Sequence, residues 1–161
     1  MPTWSAALVP TSLLVLGLVR IARRMNSLKT QRDFATEFLM KYGACMKSLA
    51  GRELDREAHV WLTLHMTRMQ EQLAGEDVLT FKPPGANVLL SNFQLLPSTL
   101  MSIGSGTALD WMVCWCRDVL LQHVGSLEDK HRRARASLSN PIIWLGEGAR
   151  LVLATPLSVL G

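Results

Sequence analysis

The chain opens with a run that has no polar face. From Trp4 to Val19 there is no charged residue, and Leu, Val and Ala dominate. Arg20, Arg23 and Arg24 then arrive together, with Lys29 and Arg32 close behind. About 20 helical residues cover the roughly 30 Å of a bilayer core. Arg20 can snorkel to the headgroups and extend the usable span to Ala22. The pattern therefore predicts a transmembrane anchor over residues 1–25. The positive-inside rule then puts the N-terminus outside and the bulk of the chain in the cytoplasm, with Trp4 in the outer interfacial belt. No basic residue precedes the run and no small-residue cleavage site follows it, so a retained anchor fits better than a signal peptide.

Beyond the anchor the spacing of apolar positions becomes helical. Phe34, Phe38, Leu39, Tyr42 and Cys45 recur every three or four residues and predict a helix from about Ser27 to Leu49, broken at Gly51. Leu54, Ala58, Trp61, Leu62, His65, Met69 and Leu73 trace a second, from about Glu53 to Ala74, with Gly75 as its cap. These two predict an antiparallel hairpin. Residues 76–104 lose the period. Lys82-Pro83-Pro84-Gly85-Ala86-Asn87 is turn chemistry, and the short apolar runs around it predict an irregular, partly buried loop with one short helix over Pro97–Ser102.

A third long helix is predicted from near Thr107 to about Ser137, on the stripe Leu109, Val113, Cys116, Leu120, Val124 and Leu127. Trp111 and Trp115 widen its apolar face. Asn140-Pro141 opens a last helix, with Pro at the first helical position. Its charged residues, Glu147 and Arg150, are three apart and can pair on one face. Trp144, Glu147 and Arg150 are the residues expected at a membrane interface. The fold class expected is all-α. It consists of the anchor, a cytosolic helical domain over 26–138, and a C-terminal amphipathic or membrane-associated helix over 139–161.

Composition changes this picture little. The chain is 48% apolar and only 19% charged, with a net charge of +4, which is charge-poor for a soluble domain. Its basic clusters flank apolar segments, which favours anionic lipid over nucleic acid, although the cluster Lys130–Arg135 could serve either. Cys45, Cys114 and Cys116 are an odd set in a cytosolic setting and predict buried, inert thiols rather than disulfides.

Candidate chemistry is sparse. His65 lies on an apolar stripe and reads as a buried structural histidine. His59 lies with Arg52 and Arg56 and reads as solvated, and His131 belongs to a basic run. Arg117 and His123 have five residues between them. An Arg followed after four to six residues by His resembles the motif of HEPN ribonucleases. In that family the arginine stabilises phosphate charge and the histidine moves protons. Arg52 and His59 fit the spacing as well. No carboxylate pair, Gly-rich phosphate loop, HExxH or paired CxxC is present. No cofactor, metal or small-molecule substrate is expected.

The anchor, the small helical domain and the closing run Asn140-Pro141-Ile142-Ile143-Trp144-Leu145-Gly146-Glu147-Gly148-Ala149-Arg150, with Pro156–Gly161, together resemble small bacterial single-pass membrane proteins of antiphage defence. Among these are the accessory membrane proteins of type VI-B CRISPR systems. The resemblance implies a HEPN-like helical domain, a bacterial inner-membrane location and assembly into a ring-shaped pore. Partners would be membrane lipid, further copies of the chain, and a CRISPR effector or RNA. In a pore, Ser5, Thr11 and Ser12 are the polar groups available to a lumen. Leu13, Leu14, Leu16 and Leu18 would face lipid or neighbours, and Arg20, Arg23 and Arg24 would meet headgroups. The function expected is an oligomeric effector or accessory factor that perturbs the membrane. The alternatives are a tethered HEPN-like ribonuclease using Arg117 and His123, and a non-catalytic adaptor for a cytosolic partner.

Overall fold

The computed structural model describes the backbone of residues 4–50, 54–82, 87 and 89–154, and side chains within 11–150. The described chain is mostly helical. Its elements are α1 (Trp4–Ala50), α2 (Arg56–Leu73), β1 (Val78–Phe81), β2 (Leu90–Gln94), α3 (Leu95–Gly104), α4 (Asp110–Ser137) and α5 (Pro141–Ala154). Two features depart from the pattern reading. The anchor segment and the first amphipathic segment are one continuous helix. The segment read as loop carries a two-stranded antiparallel hairpin, pairing Val78 with Gln94, Leu79 with Phe93 and Phe81 with Leu90. The expected break at Gly51 lies outside the described residues.

The chain divides into two compact units, residues 31–126 and residues 1–30 with 127–161. The 31–126 unit has a dense core. Phe34, Ala35, Phe38, Tyr42 and Cys45 of α1 are buried, as are Leu62, Met69 and Leu73 of α2 and Leu95, Leu96, Leu100 and Ile103 of α3. Met112, Cys116 and Leu120 of α4 complete it. The contacts of α1 and α2 run in opposite directions along the two helices. Asp55 N–H donates to Ser48 Oγ at 2.9 Å, Phe38 meets Trp61, and the Arg68 guanidinium lies 3.9 Å over the Phe34 ring. The predicted antiparallel hairpin is therefore present.

Local signals set the boundaries. The Asp55 carboxylate accepts from Ala58 N–H at 3.0 Å and starts α2. Ala74 turns left-handed at φ 50° to end it, followed by Gly75 at φ 90°. Asp110 opens α4, where its charge favours the positive helix end. Pro141 is the first residue of α5, and Asn140 Oδ1 accepts from Ile142 N–H at 3.0 Å.

The second unit brings together the N-terminal part of α1, the end of α4 and α5. Among its described residues the buried ones are Gly17, Ile21, Leu127, Ala134 and Gly148. Trp144 Nε1 donates to the Ser137 carbonyl at 3.1 Å, tying α5 to the end of α4.

Candidate functional site

The crossing of α1 and α5 rests on two glycines. A side chain at Gly17 would collide with the backbone of Trp144, and one at Gly148 would collide with the backbone of Leu13. The two helices are thus in main-chain contact. Gly17 opposes Trp144 while Leu13 opposes Gly148, so the helices run antiparallel.

Large apolar residues point the other way. Val15 is 55% exposed and Ile142 76%, and Leu16, Leu18, Val19, Ile143 and Leu145 are exposed with them. A helix pair built for water buries its large apolar side chains and exposes polar ones. Here small residues fill the seam and large apolar ones lie outside.

Glu147 carries the ion contacts at the α1–α5 crossing. Glu147 Oε2 lies 3.4 Å from Arg20 Nε, and Glu147 Oε1 lies 3.4 Å from Arg150 Nη1. The pairing of Glu147 with Arg150 follows the i,i+3 expectation, whereas the contact with Arg20 joins two helices far apart in sequence. Arg23 and Arg24 are exposed, and Trp144 is half-buried. Thr11 and Ser12 are exposed, and Leu13 and Leu14 are half-buried. The Ser5 side chain lies outside the described residues. Among the described residues, no helix is long and apolar enough to cross a membrane.

Arg117 and His123 are not brought together. Six helical residues turn through about 600°, which leaves them on different faces. The Arg117 side chain is 55% exposed and pairs with Asp118 at 3.1 Å, while His123 is 5% exposed with Nδ1 3.5 Å from Glu76 Oε2. His65 and His59 also serve structure. His65 Nδ1 lies 2.8 Å from the Trp61 carbonyl, and its ring stacks on Trp61. His59 corrects the solvated reading, because its Nε2 reaches the Leu100 carbonyl at 3.0 Å and joins α2 to α3. Helical periodicity put His59 on the polar side of α2. The partner came from α3, which periodicity alone does not place.

The core of the 31–126 unit holds a polar cluster that the sequence did not single out. Tyr42 Oη donates to the Val113 carbonyl at 2.9 Å, and Thr99 Oγ1 to the Leu95 carbonyl at 2.7 Å. Burial pushes the Cys116 thiol up to about 12, although hydrogen bonds with Tyr42 and Thr99 oppose the rise. Burial also raises Tyr42 and Cys45. A thiol held this firmly protonated is a poor nucleophile. Cys45 and Cys116 are buried as expected, but Cys114 is exposed. Among the described residues no group of three His, Cys, Asp or Glu side chains could hold a metal ion. Comparison with family models, curated proteins and solved structures finds no match.

Proposed function

We propose that this chain is a non-enzymatic membrane protein. The start of α1 and α5 embed in lipid as an antiparallel pair, and the 31–126 unit is the aqueous part. The observation that carries the reading is the seam of Gly17 and Gly148 under an outer surface of Val15, Leu16, Leu18, Ile142 and Leu145. At about 1.5 Å per residue, Trp4–Val19 reaches about 24 Å and Pro141–Ala154 about 21 Å. Both fall short of a hydrocarbon core of roughly 30 Å. A pair that short thins the bilayer around it or oligomerises to share the mismatch. Either outcome suits an oligomeric effector or accessory factor that perturbs the membrane. A place in antiphage defence rests on the resemblance of the layout and closing run alone.

The test is an alkaline carbonate wash of membranes from cells making the full chain. The chain is expected to stay with the membranes, and the purified protein to form rings in gentle detergent and release dye from vesicles. Recovery of the intact chain in the carbonate supernatant would overturn the membrane reading. Monodisperse single copies together with intact vesicles would overturn the perturbing role. The ribonuclease alternative gains nothing from the separated Arg117 and His123.

A further inference from the structure

Beside the α1–α5 crossing lies a cleft of about 420 Å³, walled by α1, α5 and the end of α4. This is within the size range of small-ligand sites. Arg20, Arg24, Glu147 and Arg150 line it, with Ile21 and Ile143 as apolar wall. Three guanidinium groups and one carboxylate therefore line it. Both contacts of Glu147, to Arg20 and to Arg150, are 3.4 Å. Charge-assisted N–H···O bonds close to about 2.7–2.9 Å when well formed. Among the described residues Arg24 makes no ion pair. Each guanidinium carries five donors in a fork suited to phosphate oxygens, so most of the donor capacity here is unspent on the protein.

We infer that this cleft binds a phosphate group, held by Arg20, Arg24 and Arg150, with the attached carbon skeleton against Ile21 and Ile143. Glu147 spaces Arg20 and Arg150 and lowers the net charge that the anion meets. Two sources supply such a group, a lipid headgroup or a soluble phosphate. Arg20 and Arg24 directly follow the apolar run, where headgroups lie if α1 is embedded as proposed above. The lipid source rests on that reading. The phosphate chemistry does not.

The full chain in mild detergent is titrated with dihexanoyl phosphatidic acid, dihexanoyl phosphatidylcholine and inorganic phosphate. Phosphatidic acid is expected to bind at least tenfold more tightly than phosphatidylcholine. Binding of phosphatidic acid well above inorganic phosphate assigns the lipid source, and equal binding of the two assigns the soluble one. Both outcomes support a phosphate site. The triple variant R20Q/R24Q/R150Q is expected to lose at least tenfold in affinity. R132Q/R133Q/R135Q, which removes the same charge from α4 outside the cleft, is expected to stay within about threefold. E147Q is expected to bind more tightly, which keeps the test decisive if the triple variant misfolds. Equal losses in the two triple variants, or weaker binding by E147Q, would overturn the site. Both results leave the carbonate-wash result for the helix pair untouched, so the two readings can fail separately.

Discussion

Cys116 keeps its proton because burial removes the water that would stabilise a thiolate. The sign of its effect on stability follows from linkage. In the unfolded chain the thiol ionises near its ordinary value of 9.0, and in the folded chain it holds its proton up to about 12. Above pH 9 the unfolded state therefore binds fewer protons, and stability falls as pH rises through that window. The slope is at most roughly 1.4 kcal/mol per pH unit from this group, with Tyr42 and Cys45 acting in the same direction. Denaturant unfolding between pH 8 and pH 11 should show the decline in the wild type and a shallower one in Cys116→Ala. A thiol reagent at pH 8 should label Cys114 at once and the other two only on unfolding. Arg117→Ala is expected to change stability by less than about 0.5 kcal/mol, as for an exposed residue. His123→Ala, in the core, should cost clearly more. Thermal melts of the two variants check this. At this scale the sequence placed His65 and the Glu147–Arg150 pair from helical spacing alone. It misplaced His59 and Cys114, whose surroundings depend on neighbouring elements.

The elements separate into those with strong local punctuation and those without. Asn140-Pro141 and the stripe of α2 were legible because capping and period agree. The hairpin was not. Its strands are short and lie either side of Pro83-Pro84-Gly85, so neither carries enough alternation to register. The continuity of α1 is not legible because composition changes near residue 25 as it would at a boundary, although no Gly or Pro lies between Gly17 and Gly43 to break the helix. The glycines give a direct test of how α1 and α5 meet. Gly17→Ala and Gly148→Ala place a methyl into opposing backbone and should each destabilise the pair, on the order of 1–3 kcal/mol as for other overpacked contacts. Gly43 meets nothing within 4 Å, so Gly43→Ala should stabilise α1 by about 0.5–1 kcal/mol through helix propensity. Unfolding midpoints in detergent distinguish the opposite signs.

For the molecule as a whole, the sequence conveyed a helical chain with greasy ends. It did not convey that residues 1–30 and 127–161 form one unit, because the contacts of Gly17 with Trp144 and of Gly148 with Leu13 are long-range and glycine leaves no trace in a hydrophobic pattern. That unit carries the functional claim, and lipid contact at its outer face can be read position by position. With Cys114 replaced by Ser, single spin labels at Val15→Cys and Ile142→Cys are compared with one at Met40→Cys, an exposed site of the 31–126 unit, in the full chain reconstituted into vesicles. Lipid at this face predicts that labels at 15 and 142 collide more readily with oxygen, which concentrates in the bilayer, than with a water-soluble nickel chelate, and that the label at 40 shows the reverse. Nickel access at 15 and 142 equal to that at 40 would contradict it.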